Sequence, residues 1–127
     1  MAITLATAAR NAAADGIVDL VDGGAGAGVL VLMDGATDVA SFTLQDPAFG
    51  AAAAGVATLL GTTLTVAASD NGPDCDGFEV RDSDATVIYS GTVTATGGGG
   101  DITMDNTNVN SGQDVNLTSH TFTQPAS

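Results

Sequence analysis

A chain of 127 residues has the length of a single domain. Its core material is light: four Phe, one Tyr and no Trp, with Ala, Gly, Thr and Val dominating. It has no lysine, and Arg10 and Arg81 stand against fourteen Asp and Glu79, for a net charge of −13. That balance excludes nucleic acid and anionic membrane surfaces as partners, because both are held by clustered Lys and Arg.

The opening segment Thr4–Gly24 is expected to be helical over residues 5 to 22. Leu5, Ala8, Ala9, Ala12, Ala13, Ile17, Leu20 and Val21 recur at helical spacing, with Arg10, Asp15, Asp19 and Asp22 elsewhere on the wheel. Thr4 or Thr7 can cap the start, and Gly23 or Gly24 can end the helix in the left-handed conformation. The stripe is mostly methyl groups, so the helix needs a flat apolar surface beneath it. Val29–Met33, apolar on both faces, is the expected strand under the helix. The intervening Gly24-Ala-Gly-Ala-Gly28 fails as a phosphate-binding loop: it follows a helix and opens a strand, and no lysine accompanies it. It reads as a flexible connector.

From Val29 the period changes to that of strands. After a turn over Asp34–Asp38 come Val39–Leu44, Val56–Leu60, Thr63–Ala68, Phe78–Arg81, Thr86–Ser90, Thr92–Thr96, Asp101–Met104 and Val115–Thr123. Gly97–Gly100 reads as a floppy turn. Eight or nine short strands at this spacing predict a mainly β fold, an antiparallel β-sandwich or barrel with one N-terminal helix. The division is 1–24 for the helix and its cap and 29–127 for the sandwich, within one domain.

Residues that could carry chemistry are few. Asp70, Asp74 and Asp76 lie close together in DNGPDCDG, with Asp82 and Asp84 in the next turn. Hard cations want several oxygen ligands, yet twelve residues counted from Asp70 end on Arg81 and from Asp74 on Ala85, so no calcium loop results. Asp and Gly are also what turns use. His120 is the lone histidine and reads as a packed or edge side chain beside Phe122. Cys75 sits among carboxylates that disfavour its thiolate. No nucleophile elbow or paired-carboxylate arrangement appears, so the expectation is a protein that is not an enzyme and has no catalytic, cofactor-binding or metal-binding residues. Asn116-Leu117-Thr118 fits the glycosylation sequon by chance, since the start lacks a signal peptide. Cys75 is alone, so no intrachain disulfide forms. No stretch reaches the ~18 apolar residues that span a bilayer. Synthesis and retention in the cytosol are expected.

The opening MAITLATAARNAAADGIVDLVDGGAGAG, Asp46-Pro-Ala-Phe-Gly50 with the AAAAGVAT that follows, the central FEVRDSDATVIYSG and the closing TFTQPAS resemble a family of small virion structural proteins of tailed bacteriophages. The resemblance spans most of the chain and supplies no catalytic residues. It implies an architectural role, commonly a capsid decoration or cement protein on a β-sandwich or jelly-roll-like domain. The partner would be the major capsid protein on the outer surface of the head, with the chain made in the host cytoplasm. Between Met33 and Phe42 this chain is shorter than the family pattern. The light core adds an expectation of self-association as a dimer or trimer. Two other readings stand beside this one: a tail, neck or fibre component of the same virion, and a calcium- or carbohydrate-binding β-sandwich module using Asp70, Asp74 and Asp76.

Overall fold

The computed structural model describes residues 3–125. The described residues form one helix, α1 (Thr7–Asp19), continued by a 3-10 turn over Leu20–Asp22, and nine strands. These are β1 (Val29–Asp34), β2 (Thr37–Thr43), β3 (Val56–Thr58), β4 (Leu64–Ala67), β5 (Gly77–Arg81), β6 (Val87–Ala95), β7 (Ile102–Met104), β8 (Asp114–Leu117) and β9 (Thr121–Thr123). A five-stranded sheet has the order β2-β1-β5-β6-β7, and two ribbons, β3-β9 and β4-β8, complete the fold. The fold is mainly β and sandwich-like, as the strand spacing predicts, and antiparallel at every ladder but one. Two boundaries differ from the sequence expectation. The segments 86–90 and 92–96 are one strand, β6, and the segment 115–123 is two, β8 and β9.

The exception is β6–β7, which runs parallel with Val93 opposite Ile102 and Ala95 opposite Met104. A parallel pair ordinarily needs a crossover of a dozen residues or more, whereas only Thr96–Asp101 separates these two strands. The four glycines make that return possible, and the loop is built rather than floppy. Gly97 and Gly99 have φ of +90° and +82°, which side chains rarely adopt. Gly98 and Gly100 lie against Thr94, where a Cβ would come within 2.8 and 2.9 Å of its side chain. The Gly100 N–H donates to Thr94 Oγ1 at 3.0 Å and the Gly98 N–H to the Ala95 carbonyl at 2.9 Å.

The helix differs from its sequence reading in three ways. Ala6 occupies the N-cap with no side-chain cap bond, and Thr7 is the first helical residue. Gly23 ends the 3-10 turn in the right-handed region, at φ −75°. The buried face is Ala14, Val18 and Val21, spaced by four and three, while Ala8, Ala9 and Ala12 are exposed and Leu20 is 56% exposed. The true stripe therefore shares only Val21 with the predicted one and faces well around the helix from it. Burying Val18 and Val21 is worth about 1.5–3 kcal/mol each.

The helix also lies on a different surface, packing on β3 and β9 rather than on β1. Its polar side chains are what align it. Asn11 Oδ1 accepts the Gly55 N–H at 2.7 Å, Asp15 Oδ1 the Ala52 N–H at 2.7 Å and Asp22 Oδ1 the Ala48 N–H at 2.9 Å. Acceptors at i, i+4 and i+11 run antiparallel to donors at 55, 52 and 48, so the helix stitches down a loop whose own pairing is limited to the isolated bridges Phe49–Leu59 and Ala53–Val56. Arg10 adds bonds to the Ala54 carbonyl at 3.3 Å and to Thr7 Oγ1 at 3.2 Å. Burial raises the pKa of Asp22 despite the Ala48 bond, and the charges of Asp46 and Asp19 raise it further.

β1 is buried on both faces as expected, but the second cover is an ion cluster. Leu30 and Leu32 enter the core with Phe42, Phe78 and Val80. On the opposite face Arg81 holds Asp38 through two bonds of 3.0 Å and Glu79 through bonds of 2.9 and 2.6 Å. Its guanidinium rests 3.9 Å from Met33 Sδ. The Arg81 bonds hold Asp38 below its ordinary pKa, and these carboxylates raise that of Arg81.

Candidate binding groove

The five-stranded sheet curls until its first strand meets the β4-β8 ribbon: β2 packs on β4, and the Ser69 N–H donates to the Val39 carbonyl at 2.8 Å. Taken around the curl, the strands run β7-β6-β5-β1-β2, then β4-β8. Between β8 and β7 there is no ladder, and the two edges face each other across a groove.

Backbone alternation shows which groups face that groove. Met104 accepts from the Thr96 N–H at 2.9 Å on the β6 side, so the N–H and C=O of Thr103 point the other way. On β8, the Ala68 N–H bonds the Gln113 carbonyl at 2.8 Å. In the same antiparallel register, Val115 and Leu117 are the residues bonded to β4. The main-chain groups of Asp114 and Asn116 therefore face away from β4. Thr103, Asp114 and Asn116 are all groove-lining residues.

The groove has three connected parts. The middle, about 170 Å³, has a buried apolar floor that includes Leu32, Phe42, Ile102, Val115 and Leu117. One end, about 410 Å³, is polar and carries Asp105, Asn106, Gln113 and Asp114. The other, about 290 Å³, runs past Asp101 to Tyr89, His120 and Phe122. Thr103 and Asn116 join the first two parts, and Asp101 joins the first and third.

His120 closes the third part from below and is only 6% exposed. Its Nε2 lies 2.7 Å from the Tyr89 hydroxyl. The Tyr89 ring stacks on it at 15°, while Phe78 and Phe49 meet it edge-on at 5.3 and 6.1 Å. Burial lowers its pKa to about 4, against a smaller opposing pull from Asp101. Burial also pushes the Tyr89 hydroxyl well above its ordinary value. The packed reading of His120 is the one observed, and it ties β6 to the segment entering β9.

The carboxylates singled out from sequence are placed as braces of turns. Asp74 receives a bond from Thr107 Oγ1 at 3.3 Å, Asp34 accepts the Asp74 N–H at 3.0 Å and Asp76 the Gly35 N–H at 3.0 Å. Asp70 accepts the Asn71 N–H at 2.8 Å. Asp82 accepts those of Asp84 and Thr86 at 2.9 and 3.0 Å. Among the described residues no group of three or more His, Cys, Asp or Glu side chains is placed to hold a metal ion. Cys75 is buried between Asp74 and Asp76, its pKa raised by burial and then by the charges of Asp34, Asp76 and Asp74. In the sequon, Asn116 is exposed on β8 and its Oδ1 accepts from Thr65 Oγ1 at 2.6 Å.

The groove is absent from the sequence reading. Strand existence is legible locally, but an unladdered pair of edges is a property of strand order. The one local signal was the tetraglycine run, which returns the chain so that β7 forms an edge. No protein-family model, curated protein or solved structure matches the chain.

Proposed function

We propose that this chain is a structural virion protein of a tailed bacteriophage, a decoration protein that binds the major capsid protein on the outside of the head and stabilises it. It acts by binding and not by catalysis. The observation that carries the reading is the open groove between β7 and β8. It offers main-chain donors and acceptors on both walls over an apolar floor, which is the equipment for pairing with another protein's extended backbone. Charge supports the outer surface as its place. Arg10 and Arg81 are both engaged within the fold, so the exterior is left to carboxylates, which packaged DNA and anionic membranes repel.

The test is made on the particle. Quantitative mass spectrometry of purified virions should find this chain in hundreds of copies, in fixed ratio to the major capsid protein. Heads lacking it should release DNA at lower temperature. Absence from the particle, or only a few tens of copies confined to tail or neck, overturns the assignment.

A further inference from the structure

We infer that the groove between β7 and β8 is filled by the extended arm at residues 3–6 of a second copy of this chain. The inference rests on the backbone-pairing reading of the groove and names its occupant as a second copy of this chain, so that the capsid is met by the outer surface of the assembled oligomer and not through the groove of each subunit.

Slot and strand are both present in one molecule. Residues 3–6 precede α1 without helical or strand structure, and Ala6 has an extended backbone at ψ 156°. Ile3 is 75% exposed, the most exposed of the large apolar side chains of the described residues. An apolar residue so exposed on an extended segment has no role in its own subunit. Ile3 and Leu5 alternate with Thr4 and Ala6, so an arm in strand conformation puts the two aliphatic side chains on one face. That face matches the buried floor of Leu32, Phe42, Val115 and Leu117.

Length and charge agree. Four residues are what β7, of three, and β8, of four, can flank. The groove walls carry Asp101, Asp105 and Asp114, and residues 3–6 bring no charge to oppose them. The subunit's own arm leaves the helix beside Ala54 and Gly55, where Arg10 and Asn11 hold it on the β3-β9 ribbon. Residues 3–6 line none of the three parts of their own subunit's groove, which leaves it open to the arm of a second copy. Seating the arm would add the stave between β7 and β8 and close the curl, removing both free edges. Arms exchanged in pairs give a dimer, and arms passed head to tail give a closed ring.

The experiment uses the full chain. In analytical ultracentrifugation over a concentration series, wild type should associate, and its melting temperature should rise with concentration. Ile3→Asp should shift the dissociation constant by a hundredfold or more while leaving the circular dichroism spectrum unchanged. Thr103→Pro removes the groove-facing N–H of β7 and should weaken association similarly. If Thr103→Pro fails to fold, cross-linking supplies the answer. Mixing Thr4→Cys chains with Asn116→Cys chains under oxidising conditions should yield the mixed disulfide, with buried Cys75 as a silent bystander. A wild type that stays monomeric throughout, an Ile3→Asp chain that associates normally, or a mixture that forms no mixed disulfide overturns the inference. None of these outcomes bears on whether the chain is found in virions, so the two readings fail separately.

Discussion

Acid should weaken this fold through His120 in a way that a single substitution isolates. The imidazole is 6% exposed, bonded to Tyr89 and enclosed by Phe49 and Phe78, and its pKa is about 4 in the folded chain. The unfolded chain titrates near the ordinary value of about 6.5 and so binds more protons through the window from about 6.5 down to 4. The neutral ring's contribution is therefore present above pH 6.5 and lost as pH falls through that window. The two values correspond to a loss of about 2 kcal/mol between pH 7 and pH 4.5, and about 3 kcal/mol in the acid limit. For a domain of this size that is a fall of roughly 8 °C in melting temperature. Asp22, with a raised pKa, also moves toward that window, whereas Asp38, with a lowered one, titrates below it. They are common to wild type and to His120→Gln, which keeps an amide near the Tyr89 hydroxyl and cannot take a proton. Urea unfolding of both proteins at pH 7 and pH 4.5 gives the difference of differences. His120→Gln should be less stable at pH 7 and lose about 2 kcal/mol less than wild type on acidification. Equal losses would refute a buried neutral histidine, as would a ring proton whose NMR titration midpoint in the folded protein lies near 6.5.

Three further outcomes follow from the packing. Val18→Asp should unfold the chain at ambient temperature, since it places a charge in the core, whereas Leu20→Asp should change stability by under about 0.5 kcal/mol; thermal melts of the two distinguish the observed helix face from the one expected by periodicity. Asp15→Ala strands the part-buried Ala52 N–H and should cost about 1–3 kcal/mol by urea unfolding, with helix content at zero denaturant unchanged. Gly98→Ala and Gly100→Ala push a methyl into Thr94 and should each cost about 1–3 kcal/mol, while Gly26→Ala, with nothing within 4 Å, should be neutral in the same assay.

How much of this was legible in the sequence depends on the range over which each signal acts. Strand positions were legible because alternation and turn residues are local; Phe78–Arg81 and Asp101–Met104 match their strands to within one residue. The helix was legible in extent but not in facing. A run of alanines offers a hydrophobic face in several directions, and nothing within residues 5–22 says that Asn11, Asp15 and Asp22 will bond a loop 26 to 44 residues away. Those three bonds fix the rotation, because the polar residues must reach the 48–55 backbone and Ala14, Val18 and Val21 then turn inward. The ion cluster over Met33 is the same kind of fact, since Asp38 and Arg81 meet only once β2 and β5 flank β1.

The acidity itself takes on a different meaning once the contacts are known. A charge of −13 reads from composition as a device for solubility or as a cation site. In the structure most of the carboxylates are acceptors for main-chain N–H or hydroxyl groups: Asp15 and Asp22 under the helix, Asp34, Asp74 and Asp76 across facing turns, Asp70 and Asp82 within their own turns, Asp101 on the Thr92 N–H at 3.0 Å and Asp105 on Thr96 Oγ1 at 3.1 Å. A fold with short strands and long connections has many backbone donors that no ladder satisfies; under the helix, where the Ala48 and Ala52 N–H groups are part-buried, each left bare would cost about 1–3 kcal/mol, and in the exposed turns the same bonds hold conformations that water would not. Asp is the shortest side chain that can serve them with a charge-assisted bond. Lysine has no such use, because it cannot accept. The same economy of strand leaves the groove: the chain uses carboxylates to finish its turns, but the facing edges of β7 and β8 carry no ladder, and their main-chain groups call for a backbone rather than a side chain to pair with.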